Sequence, residues 1–78
     1  MKIYILHYCL LDNSGEVSIF CNTPYKSLFD AVREQNKIMD NWVANRDNIS
    51  IETIGYFTRA TQIDNINEIQ TCIEEFDL

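Results

Sequence analysis

The sequence predicts a single α+β domain over residues 1–78, with the chain order β-β-α-β-α. The expected architecture is a three-stranded antiparallel sheet in the order 2-1-3, with one long amphipathic helix on one face and a short C-terminal helix. Three observations predict it. Residues 2–11 (KIYILHYCLL) form an apolar run rich in β-branched and aromatic residues, followed by a turn sequence and a second such run. Leu28, Phe29, Val32, Met39, Trp42 and Val43 then fall on one helical stripe with charged residues opposite. A third strand-like run spans Ile49 to Thr61, after which Ile66, Ile69, Ile73 and Phe76 return to helical spacing.

Alternation along the first strand puts Ile3, Ile5, His7, Cys9 and Leu11 on one face and Tyr4, Leu6, Tyr8 and Leu10 on the other. Both faces are apolar, so the strand is covered on both sides or is covered on one side by a partner. Asp12-Asn13-Ser14-Gly15 is a turn, with Gly15 the residue suited to positive φ. Glu16 to Asn22 returns as the second strand of a hairpin. A three-residue loop with a bulge pairs Leu11 with Val17, Cys9 with Ile19 and His7 with Cys21. A four-residue loop shifts each pairing by one and places Tyr8 opposite Ile19.

Thr23 as cap and Pro24 in the first turn open a helix running roughly from Pro24 to Asn45, and Ser27 with Asp30 offers a second start. Gln35 and Asn36 interrupt its apolar stripe and are expected at its edge. Arg46-Asp47-Asn48 is the loop out. Gly55 marks a bulge or bend in the third strand. Asn65 and Glu68 are spaced like a capping box ahead of the last helix. A hairpin followed by a helical crossover gives the order 2-1-3 and leaves two open sheet edges, through which the chain could dimerise.

Composition narrows the function classes. Apolar residues make up 46% of the chain and charged residues 23%, a globular balance that excludes disorder and coiled coil. No apolar run is long enough for a membrane helix, and the N-terminal stretch lacks the small-residue cleavage site of a signal peptide. Twelve acidic residues against six basic ones give a net charge of −6, the wrong sign for direct contact with nucleic acid or an anionic membrane. The acidity is local: residues 63–78 contain Asp64, Glu68, Glu74, Glu75 and Asp77 and no cation. Three cysteines without a CxxC pair read as reduced thiols in a cytoplasmic protein.

Catalytic and metal chemistry find little support in the spacing. His7, Cys9, Cys21 and Cys72 have the residue types of a zinc set, but no two are paired two to four residues apart on a knuckle, and a strand face with buried thiols accounts for them. His7 and Cys9 share a strand face but point side by side, with no oxyanion loop nearby. The terminal carboxylates read as solvated, and no glycine-rich phosphate loop is present, so no cofactor is expected.

The acidic C-terminal segment is the chemically unusual feature. Glu74, Glu75 and Asp77 would sit at a helix C-terminus, where the macrodipole disfavours anions, as on an electrostatic docking surface. Tyr4, Tyr8, Phe20, Tyr25, Trp42, Tyr56 and Phe57 are many rings for a small core, and exposed tyrosines anchor interfaces. In size, acidity and compact hairpin-helix-strand order, the chain resembles the small inhibitors that phages encode against host defence, anti-CRISPR and anti-restriction proteins among them. The resemblance is one of overall profile. It implies a non-enzymatic inhibitor that occupies a basic, nucleic-acid-binding surface of a partner protein. On that expectation Asp64, Glu68, Glu74, Glu75 and Asp77 meet the partner's cations and Tyr56 serves as an anchor. The alternative is an assembly module that homodimerises through an open sheet edge.

Overall fold

The computed structural model describes residues 1–12, 14, 16–44, 46–64 and 67–78, with the backbone alone at residues 18 and 19. Its elements are β1 (Lys2–Leu11), β2 (Val17–Tyr25), α1 (Leu28–Val43), β3 (Ile49–Ile54), β4 (Phe57–Gln62) and β5 (Asn67–Asp77). The strands form one five-stranded sheet in the order β2-β1-β5-β4-β3, and every neighbouring pair is antiparallel. The architecture is therefore α+β with five strands and one helix, which corrects the expected three strands and two helices.

Two local features account for the difference. The run from Ile49 to Thr61 is a hairpin. Gly55 sits at φ +59° in a two-residue turn, so Ile54 pairs with Phe57 and the chain doubles back. The C-terminal segment is a strand because its buried positions alternate: Ile69, Thr71 and Ile73 all face the helix. Ile69 and Ile73 are four apart and satisfy either period; the burial of Thr71 between them settles on two. Glu68 lies on the opposite face of the strand, while Asn65 and Ile66, the other residues of the expected helix start, lie outside the described residues.

The hairpin register matches neither expected alternative along its length. Leu11 pairs with Val17, then a bulge shifts the register so that Leu10 faces Ile19, Tyr8 faces Cys21 and His7 faces Asn22. Gly15 lies outside the described residues. The helix begins later than Pro24. Thr23 and Pro24 pair with Leu6 and Ile5 in the sheet, and Ser27 is the N-cap, its hydroxyl accepting from the Asp30 N–H at 3.4 Å. Its last turn is closed by Arg46, whose guanidinium donates to the Trp42 carbonyl and stacks 4.4 Å from the indole centroid.

α1 packs across one face of the sheet. Met39 and Trp42 meet Ala60 and Ile69, and Ala31 meets Leu6 and Ile73. Gln35, expected at the edge of the stripe, is instead only 5% exposed in the middle of this layer. Its Nε2 donates to the Tyr56 carbonyl at 2.9 Å and to Thr71 Oγ1 at 3.0 Å, and the Thr71 hydroxyl donates on to the Thr58 carbonyl at 3.3 Å. A buried amide is tolerated because its donors are satisfied. These bonds tie the centre of the helix to the turn and inner strand of the β3–β4 hairpin. The two chain ends close the sheet, with Met1 and Leu78 exchanging backbone hydrogen bonds at 2.9 and 2.7 Å.

Candidate functional site

With α1 on one face, the other face of the sheet has no second layer among the described residues. Pairing registers define its rows. The central row runs Asn22, His7, Cys72, Phe57, Ile54 from β2 to β3. The row above it runs Phe20, Cys9, Gln70, Arg59, Glu52, and the row below runs Pro24, Ile5, Glu74. Leu11 with Val17 and Ile3 with Phe76 extend the apolar surface toward the two ends, while Glu68, Thr61 and Ser50 continue the Leu11 row as polar positions. Phe20 is 64% exposed and Ile54 67% exposed, values that a core position would not show.

A shallow depression of about 140 Å³ occupies the middle of this face, lined by His7, Cys9, Phe20, Phe57, Gln70 and Cys72 among others. Its polar groups are few. His7 Nδ1 contacts the Asn22 side-chain oxygen, and His7 Nε2 lies 3.3 Å from Glu74 Oε1, near enough for an ion pair but without hydrogen-bond alignment. Burial pushes the Cys9 and Cys72 thiols up, with the nearby Glu68 and Glu74 carboxylates adding to the effect. Both thiols are therefore poorer nucleophiles than a free cysteine. Cys21 points to the helix side, where its hydrogen bond to Tyr8, followed by burial, raises the tyrosine hydroxyl. The four candidate zinc ligands are thus divided between two faces, and no set of three or more is arranged for a metal among the described residues.

The acidic residues of the C-terminal segment are dispersed, because β5 is the middle strand and sends them alternately to both faces. Glu68 and Glu74 lie on the open face; Glu75 and Asp77 lie on the helix side, and Asp64 is in the β4–β5 turn, where it accepts from Asn48 at 2.6 Å. Cations distant in sequence lie beside most of them. Arg59 stands 3.9 Å from Glu68 and 2.9 Å from Glu52, Lys2 3.3 Å from Glu75, and the N-terminal ammonium 3.5 Å from Asp77. Tyr56 caps the β3–β4 turn on the helix side, sharing a second depression with Tyr4 and Glu75. The expected partner-contacting set is therefore spread over three regions of the surface.

The antiparallel topology collects other acids at one end of the sheet. Asp12 and Glu16 flank the β1–β2 turn, Asp47 precedes β3 and Asp64 follows β4, all at the same strand ends. Asp12 is held below the usual carboxylate range, chiefly by the Ser14 hydroxyl, which donates to it at 2.5 Å. The open-face residues Phe20, Phe57, Ile54 and Phe76 are what a reading of charge alone passes over. Their signal is in the first strand, whose two faces are equally apolar. No helix among the described residues is long and apolar enough to cross a membrane. Compared with protein-family models, curated proteins and solved structures, the chain finds no match.

Proposed function

We propose that this chain is a non-enzymatic protein-binding module acting through the uncovered face of its sheet. The observation that carries the reading is that face: broad, shallow, apolar along β1, β2 and the central depression with polar residues around it, and without a second layer among the described residues. A sheet is stable when both apolar faces are covered, and here α1 covers one. Extensive exposed apolar surface rimmed by polar residues marks a protein interaction site more often than a catalytic one. The free thiols support a reducing, cytoplasmic setting.

An electrostatic form of the same function has its own support. A net charge of −6, with Asp12, Glu16, Asp47 and Asp64 at one end of the sheet, suits an inhibitor that occupies the basic, nucleic-acid-binding surface of a partner. The phage anti-defence inhibitors that the chain resembles in profile are the model for it. One capture experiment from host lysate, washed in parallel at low and high salt, separates the two. Loss of a specific partner on Phe20→Asp, with retention in high salt, supports docking by the open face. Release by salt, and loss when the four turn-end acids become amides, supports electrostatic docking. A partner retained by both variants refutes both.

A further inference from the structure

Building on the open face as a binding surface, we infer that its occupant is a second copy of this chain. The two copies pack sheet against sheet about a twofold axis that crosses the strands at the His7–Cys72 row, with the helices outermost. The rows that meet across this axis come from β1, β2 and β5, because the β3–β4 hairpin lies on one side of it. Strand spacings of about 4.8 Å and rises of about 3.3 Å per residue give them roughly 430 Å² per copy, the size of a small, concentration-dependent interface.

The pattern is self-complementary about that row. Rotation there lays Cys9 over Ile5 and Leu11 over Ile3 of the other copy, and Phe20 over Pro24. Gln70 meets Glu74: its Nε2 donates one hydrogen to Glu68 in its own chain, leaving the second to face a carboxylate that makes no aligned hydrogen bond to His7. The one polar-on-apolar match, Glu68 over Phe76, falls in the outermost rows. An axis running along β5 would instead lay β1 over β4, setting Cys9 against Arg59 and Phe20 against Glu52, so the crosswise axis is preferred. A basic partner fits this face less well, because Glu52 and Glu68 are already engaged by Arg59. Edge pairing is also less suited: β2 carries Pro24 and a bulge, and β3 has only six residues.

The test is sedimentation velocity of the full chain from about 1 μM to about 500 μM, with circular dichroism confirming the fold of each variant. Wild type is expected to move to twice the 9.2 kDa chain mass as concentration rises. Phe20→Asp, placed at an exposed position to spare the fold, should weaken association about 100-fold, counting one contact from each copy. Phe29→Asp, at a 72% exposed site on the helix, should leave association unchanged. In a Cys9→Ser/Cys21→Ser background, alkylation of Cys72 by N-ethylmaleimide should slow as the dimer forms. A monomer at every concentration overturns the inference, as does a dimer indifferent to Phe20→Asp. A monomer whose captured partner is still lost on Phe20→Asp overturns the second-copy inference alone; a monomer that captures nothing overturns the binding-face reading with it.

Discussion

Replacing Gln35 tests whether the core is organised as the structure has it. At the edge of an amphipathic stripe, Gln35→Ala would cost under about 0.5 kcal/mol, like other surface changes. In the structure the side chain is buried and its Nε2 holds two acceptors, the Tyr56 carbonyl and Thr71 Oγ1. Each lost hydrogen bond is worth about 1 kcal/mol, and the space left by the truncated stem adds about 1 more. Gln35→Ala should therefore cost about 3 kcal/mol, against a total of roughly 4–12 kcal/mol for a chain of this length. Gln35→Met keeps the volume and removes a buried amide, so its cost should be nearer 1 kcal/mol. Neither acceptor is orphaned in that variant, because the Ile73 N–H still donates to the Tyr56 carbonyl and the Thr71 hydroxyl still reaches Thr58. With Thr71→Val added, the double variant should lose about 1 kcal/mol less than the sum of the singles. Urea denaturation at one fixed chain concentration reads the wild type, the three single variants and the double. A Gln35→Ala cost below about 0.5 kcal/mol, or strict additivity of the pair, would refute the network and the packing that buries it.

Four further outcomes follow from particular residues. Ser27→Ala should cost about 1 kcal/mol in urea melts while Thr23→Ala costs a few tenths, because Ser27 caps the helix and Thr23 lies in an edge strand. Gly55→Ala should cost about 1 kcal/mol through its φ of +59° alone, since no atom lies within 4 Å of the added methyl, and Gly55→Asn should cost less in the same melt. Asp12 should titrate below an ordinary carboxylate by NMR. Its contribution to stability is present above its unfolded-state value and is lost as pH falls through the lower native one, and Ser14→Ala should move the native titration back up. Cys9 and Cys72 should react with N-ethylmaleimide more slowly than free cysteine at neutral pH, because burial disfavours their thiolates; a rate equal to that of free cysteine would contradict the packing of this face.

How much of this was legible in the sequence depended on whether the deciding contact was local. The first hairpin and the long helix were legible because strand composition and a sixteen-residue amphipathic pattern are local signals. The stripe was read only in part, since Phe29 is 72% exposed and Gln35 is buried. The C-terminal strand was not, because Ile69 and Ile73 satisfy two periods and Thr71, a polar residue, carries the evidence for one of them. Its hydroxyl is buried only because Gln35 and Thr58 satisfy it, and neither neighbour is close in sequence. The charge reading met the same limit. Residues 63–78 contain no cation, yet Lys2, Arg59 and the N-terminal ammonium lie beside their carboxylates once β5 pairs with β1 and β4. Exposed pairs of this kind contribute about 0–1 kcal/mol each, so they matter less for stability than for which charges remain to meet a partner. The apolarity of both faces of β1 was the legible half of the candidate site. The breadth of that site was not, because it needs β5 and the β3–β4 hairpin laid alongside.

Folding and association should then be coupled, and the coupling has a definite size. The buried apolar residues of the described chain, Leu6, Ala31, Met39, Trp42, Ala60, Ile69 and Ile73, all belong to the helix side of the sheet. Small domains with little buried surface are marginal alone, so covering the second face adds materially to stability. If two copies cover it, the folded monomer is depleted as the square root of concentration. Apparent stability per chain then rises by about 0.7 kcal/mol for each tenfold increase above the dissociation constant. For a domain of this size that is a rise in Tm of about 3–6 °C per tenfold. Calorimetry over two decades of concentration resolves it. Phe20→Asp should flatten the dependence, whereas Phe29→Asp should not, because only the first lies on the surface that closes. A Tm that stays constant in the wild type over a range where sedimentation shows the dimer would mean that the contact between copies leaves this face uncovered.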